Sequence, residues 1–143
     1  MLDIVSVGIC APAHQAMQWT GRMSLYEQIG GKAAVDQAVV LFHAKMMADP
    51  LLNRFFDHIS QDDYYRKQSW FLTTVLKGES IGAESYMRMS HKTLVRKHGL
   101  NETHFDAVAS HLQSSLEDLG LEAEKVAEIV AAAASLKDAV LNR

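Results

Sequence analysis

Residues 86–98 read YMRMSHKTLVRKH, and the central histidine, His91, falls where a helical apolar stripe predicts a hydrophobe. Met87 lies four residues before it, and Leu94 and Val95 three and four after, so all share one helical face. An imidazole turned into a core must find partners for its ring nitrogens or cost about 1–3 kcal/mol. Either the protein supplies a hydrogen bond, or something else, such as a metal, takes the nitrogen.

Outward from this stretch the chain reads as helices with short punctuation. Ser24 is a predicted N-cap with Glu27 as its capping-box partner, and Gly30–Gly31 end a short helix carrying Leu25 and Ile29 on one face. From about Lys32 to Ala48, Val35, Val39, Phe42 and Met46 form a stripe that Pro50 stops. A short connector holds Phe55–Phe56. The next helix, about Asp62 to Lys77, aligns Tyr64, Gln68, Phe71, Leu72 and Val75, with Asp62 and Asp63 at its positive end. Gly78 to Gly82 read as a loop, and the helix bearing His91 runs on to Gly99.

Two long helices follow: Thr103 to about Leu119, with Phe105, Val108, Leu112 and Leu116, and Glu122 to about Leu141, with Val126, Ile129, Val130, Ala133, Leu136 and Val140. No run of alternating residues is bounded by hairpin turns, so the fold class is all-α.

The 143 residues, 48% of them hydrophobic, suffice for one domain with one core. A net charge of −3 and the lack of a basic tract argue against nucleic-acid binding. Cys10 is the only cysteine, which excludes an intrachain disulfide and a thiolate metal cage and fits a reducing compartment. The opening MLDIVSVGICAPA is apolar but contains Asp3 and no Lys or Arg, and it is too short to span a bilayer. Residues 1–23 therefore read as a loosely ordered N-terminal extension to a domain at 24–143, and the expected location is cytoplasmic.

Three helices carry a polar residue on an apolar stripe: His43 beside Phe42, Gln68, and His91. Singly, a buried histidine is more often a satisfied core residue than a ligand, and a buried glutamine is usually paired to backbone. Three on three helices suggest a polar-lined cavity in an apolar shell, the usual construction of a cofactor pocket. Zinc is disfavoured, because neither HExxH nor a cysteine pair is present. His98, His104 and His111 read as surface residues. Haem suits the pattern better: it needs one imidazole on iron and a large apolar slot. The sequence contains no CxxCH, so attachment would be non-covalent.

Several segments together resemble the group I truncated haemoglobins: SLYEQIGGKAAVDQAV near the start, FHAKMMADPLL with Phe55–Phe56, Lys67–Gln68 with Phe71–Leu72, Tyr86–Met87–Arg88 with His91–Lys92, and GLNETHFDAVASHL at 99–112. The resemblance covers Ser24 to about Asn142 and implies a two-over-two helical sandwich around haem b. It implies that His91 is the proximal iron ligand and that Phe56 packs against the haem face. Phe71, Met87 and Val108 would belong to the same slot, and valine at 108, where other groups of the family usually have tryptophan, favours the first group.

Gln68 and Tyr64 match distal positions. Lys67 matches a position where some relatives place an iron-binding histidine, and as lysine it is expected to reach a propionate. The family's usual Phe-Tyr on the second helix is here Phe42–His43, so the phenol expected to bond bound oxygen is replaced by an imidazole. The function so implied is reversible binding of dioxygen, or of another diatomic such as nitric oxide or carbon monoxide, and no side chain is read as catalytic. The alternatives are a nitric oxide dioxygenase served by a separate reductase, since no flavin or NAD fingerprint appears, and a six-coordinate redox or sensor haem protein.

Overall fold

The computed structural model describes residues 24–143, so the expected extension at 1–23, Cys10 included, lies outside the described residues. Those residues form helices α1 (Leu25–Ile29), α2 (Gly31–Met47), α3 (Gln61–Leu76), α4 (Ser80–His98), α5 (Glu102–Asp118), α6 (Ala123–Ala134) and α7 (Lys137–Val140). A single 3₁₀ turn, Asn53–Phe55, lies in the α2–α3 connector, and no strand occurs among the described residues.

The caps explain the boundaries. Ser24 and Glu27 form the expected capping box, with Glu27 N–H donating to Ser24 Oγ at 3.3 Å and Ser24 N–H to Glu27 Oε1 at 3.3 Å. Gly30 then turns the chain at φ 117°, a left-handed conformation that a side chain would strain. Ser60 caps α3 by accepting from Asp63 N–H at 3.1 Å. Asn101 caps α5, its side chain accepting from Thr103 N–H at 3.0 Å while its own N–H donates to His104 Nδ1 at 3.0 Å.

Two helix pairs cross: α2 packs on α3, α5 on α6, and across the layers α2 meets α5 and α3 meets α6. This is the two-over-two arrangement expected. Between the layers lie Phe42 and Met46 of α2, Leu72 of α3, Leu112 and Leu116 of α5 and Ile129 of α6, all buried. α4 stands outside the four and is held chiefly by α7. Ala83 and Met87 pack there with Leu136, Ala139, Val140 and Leu141 in a second cluster. Asn142 Nδ2 donates to the Arg88 carbonyl at 3.0 Å, and Arg88 Nη1 donates to the Arg143 carbonyl at 3.1 Å, fastening α4 to the chain's last residues.

Four expectations need correction. The single helix expected from Glu122 to Leu141 is two, broken at Ser135–Leu136, where Ser135 Oγ donates back to the Ala132 carbonyl at 2.6 Å and Leu136 N–H bonds Ala133 O in a tight turn. The loop expected from Gly78 to Gly82 shrinks to Gly78–Glu79, because α4 already begins at Ser80. His104 is not on the surface. It is 6% exposed, serves as the capping acceptor of α5, and meets Phe55 edge-on at 5.0 Å.

Nor is His111 a free surface residue. Its Nε2 lies 2.8 Å from Asp49 Oδ2, tying α5 to the connector after α2, and Asp49 Oδ1 also accepts from Leu51 N–H at 2.9 Å. These bonds, His111 first, hold the Asp49 carboxyl below its ordinary value of 3.8.

Ile129→Ala is expected to cost about 2–5 kcal/mol, a fall in Tm of more than roughly 6 °C, because Ile129 is fully enclosed. Val40→Ala, at a residue 49% exposed, should leave Tm nearly unchanged. Since the Asp49 carboxyl is depressed in the folded chain, its contribution is complete above pH 3.8 and is lost as the pH falls through the lower folded value. Chemical denaturation of Asp49→Asn across pH 2–7 should show the wild-type advantage shrinking below that point. A pH-independent difference would sever the Asp49–His111 bond from stability.

Candidate functional site

α3, α4 and α5 form the main walls of a half-open cavity of about 430 Å³, in the range of roughly 300–1,000 Å³ typical of small-molecule and cofactor pockets. The α3 wall contributes Tyr64, Lys67, Gln68 and Phe71, the α4 wall Met87 and His91, and α5 Val108, while Phe56 enters from the connector. Eight of the nine site residues proposed from sequence thus line one space.

His43 does not. Its half-buried ring packs behind the wall, 4.7 Å from the Tyr64 ring and 5.1 Å from Tyr65. The sequence reading also passed over Phe42 and Met46 as lining residues, having assigned them to the core, and over Trp70 and Tyr86. These last two meet edge-on at 5.0 Å and are nearly half exposed. Both fall outside the apolar stripes of α3 and α4, so no periodicity marks them, and their exposure shows only in the fold.

On the α4 wall, the geometry of His91 follows from its helix. Nδ1 lies 2.8 Å from the Met87 carbonyl oxygen, one turn back, and 3.1 Å from Ser90 Oγ. Protonated at Nδ1, the ring donates to that carbonyl, which fixes the tautomer and leaves a lone pair on Nε2. Nε2 has no hydrogen-bond partner among the described residues. Burial holds the imidazole below its ordinary value, against the smaller opposing effect of the Met87 bond, so the ring is neutral.

A neutral imidazole with an open nitrogen on an apolar wall is a Lewis base seeking an acid. Among the described residues no group of three or more His, Cys, Asp or Glu could hold a metal ion. A metal that brings most of its ligands with it, as in a macrocycle, needs only this one nitrogen and a slot, and both are present. The residues fit haem.

The α3 wall is different. Tyr64 is 2% exposed, and burial pushes its phenol well above the ordinary range, so it stays protonated. Its hydroxyl donates to Met46 Sδ at 3.6 Å. Phe56 meets the Tyr64 ring edge-on at 5.0 Å. The half-buried Gln68 side chain has no hydrogen-bond partner among the described residues, and the exposed Lys67 forms no ion pair with them. Apolar residues from α3, α4, α5 and the connector, with a few polar groups unpaired among the described residues, therefore surround one space.

The family profile of bacterial-like globins matches residues 24–142. A group 1 truncated haemoglobin of Synechocystis is 39% identical over 122 residues, covering 84% of this chain and 98% of that protein. One of Chlamydomonas moewusii is 38% identical over 119 residues, covering 83% of this chain and 68% of that protein. Among solved structures, a Synechococcus globin described with a haem modification superposes with a TM-score of 0.74 at 37% identity, covering 85% of this chain and all of the other. The 2/2 haemoglobin of Synechococcus in the cyanomet state, with covalently attached haem, superposes at 0.75 with 34% identity and the same coverage. The chain belongs to the bacterial-like globins and, within them, to the group 1 truncated haemoglobins.

Proposed function

We propose that this protein binds haem b, which His91 Nε2 would hold, and reversibly binds dioxygen or another diatomic gas. The observation that carries the reading is the His91 nitrogen, open on the cavity while its other nitrogen is locked to Met87. Bound haem supplies an iron that coordinates the gas and, for dioxygen, leaves partial negative charge on it.

The chain's own residues do the rest. The Met87 carbonyl raises the basicity of His91 and fixes its plane. Phe56, Phe71 and Val108 keep the slot apolar and exclude water. Lys67, exposed at the cavity's edge and in no ion pair among the described residues, would neutralise a propionate. Gln68, without a hydrogen-bond partner among the described residues, would present the polar hydrogens that distinguish a charged ligand from an apolar one, and Tyr64 on the same wall would add its hydroxyl. A bond to a charged acceptor is worth roughly 1.5–3 kcal/mol, one to two decades in affinity. Among the described residues no helix is long and apolar enough to cross a membrane.

The ferrous absorption spectrum, with and without oxygen, is the direct test. His91→Ala should lose the histidine-ligated haem spectrum and recover it with added imidazole, and an unchanged spectrum would remove His91 from the iron. Gln68→Leu should speed oxygen dissociation about tenfold while carbon monoxide dissociation changes much less. Equal effects on both gases would discard the polar-donor account. Stopped-flow mixing of the oxygenated protein with nitric oxide separates binding from dioxygenation: fast conversion to nitrate would favour the enzyme.

A further inference from the structure

We infer that the mouth of the cavity, between the exposed faces of α3 and α4, is a docking surface for an acidic protein electron carrier, one whose redox group is ringed by carboxylates. It rests on the haem reading above and goes beyond it, naming what approaches the site from outside.

Charge is distributed unevenly over the molecule. The chain carries a net −3, yet α4 bears Arg88, Lys92, Arg96 and Lys97 against Glu84 alone. α5 has the opposite balance, with Glu102, Asp106, Glu117 and Asp118 and no Lys or Arg. Lys92, Arg96 and Lys97 are exposed and form no ion pair among the described residues, and neither does Lys67 across the mouth on α3. Asp63, one turn before Lys67, is already paired with Arg66 at 2.8 Å, and Asp57 lies 3.6 Å from His58.

Apolar side chains are exposed in the same place. Trp70 of α3 and Tyr86 of α4 meet edge-on at 5.0 Å at the lip of the cavity, and Met89, one turn on, is 78% exposed. Protein interfaces centre on aromatics and methionine inside a polar rim. At about 100° per residue, Lys97 falls about 20° from Tyr86 around the axis of α4, and Arg96 about 20° from Met89. Cations in a last helical turn complement the helix dipole, but that effect is indifferent to the side of the helix they occupy. Here the side is the one that carries Tyr86 and Met89.

The partner's chemistry follows from the site beneath. Haem iron that binds dioxygen must be ferrous, and an electron donor returns it to that state after oxidation. One electron leaves the carrier for the iron, and no bond or proton moves, so the donor needs to approach the opening but not to enter it. A cationic mouth selects a donor of opposite charge and speeds its encounter. A second copy of the chain would bring the same cations to a self-complementary contact, and like charges oppose that.

Calorimetric titration of the haem-loaded ferric protein tests the docking without turnover. The probes are an oxidised plant-type two-iron ferredoxin and, separately, a flavodoxin, both acidic one-electron carriers. Binding should be micromolar at about 20 mM salt and weaken about tenfold at about 200 mM. Lys97→Glu should weaken it about fivefold, and Arg96→Glu in the same chain about fivefold again, with the haem spectrum unchanged. Lys125→Glu, the same reversal on α6 outside the patch, should stay within about twofold of wild type. Met89→Ser, at a side chain almost free of the fold, should weaken binding about threefold. The basic carrier cytochrome c should not bind. Reduction of the ferric protein by photoreduced ferredoxin should rank the variants in the same order.

Affinity that ignores salt, or that falls equally in Lys97→Glu and Lys125→Glu, would overturn the proposal, as would no binding by either carrier. Binding to phosphatidylserine vesicles in place of the carriers would assign the surface to a membrane instead. A concentration-dependent dimer dispersed by Met89→Ser would assign it to a second copy. Failure of the haem reading would show beforehand, as a chain that takes up no haem, and would take this proposal with it.

Discussion

A chain this small keeps a cavity of about 430 Å³ between α3, α4 and α5, and that hole is the constraint on everything else. Interiors normally pack to the density of organic crystals. A cleft open to solvent beside Trp70, Tyr86 and Lys67 gives its apolar lining fewer contacts than a filled core would. The crossed pairs α2–α3 and α5–α6 hold its walls in place, with Leu72, Leu116 and Ile129 buried between them. A flat apolar macrocycle entering the cleft would cover that lining and stabilise the fold by binding to it.

The two walls of the hole solve opposite problems. On α4 the His91 ring is held by a bond from Nδ1 to a carbonyl one turn back, within the same rigid helix, which leaves Nε2 facing the cavity. On α3 the buried Tyr64 phenol rests on the Met46 sulfur, a weak acceptor, with its ring fixed by Phe56 and His43. One wall offers a fixed lone pair and the other a polar hydrogen held only weakly, and both follow from which atoms the helices place nearby.

Much of this was legible in the sequence, for a physical reason. Helical stripes repeat locally, so Val35, Val39, Phe42 and Met46 announce the buried face of α2, and Ser24 with Glu27 announces the start of α1. His91 was legible because it interrupts such a stripe. What depends on partners far along the chain was not. His111 finds Asp49, sixty-two residues away, and no periodicity reveals that bond. His43 was misplaced by adjacency to Phe42: successive helical residues point about 100° apart, so when Phe42 faces the cavity its neighbour faces the side of α3. His104 was misread because a capping role at N3 usually belongs to Glu or Gln.

The break at Ser135–Leu136 shows how a local hydrogen bond reaches the site. Had the last helix run straight from Glu122 to Leu141, each residue after Ser135 would have advanced 1.5 Å along the α6 axis. The turn instead redirects the chain, so that Leu136, Ala139 and Val140 pack on Ala83 and Met87 of α4. The bonds between Asn142, Arg143 and Arg88 complete the hold. Met87 is the residue whose carbonyl fixes His91, and Leu136 and Val140 also line the cavity. The α4 wall that carries the imidazole is therefore held against the rest of the fold by residues 136–143, which the turn at Ser135–Leu136 brings back onto it.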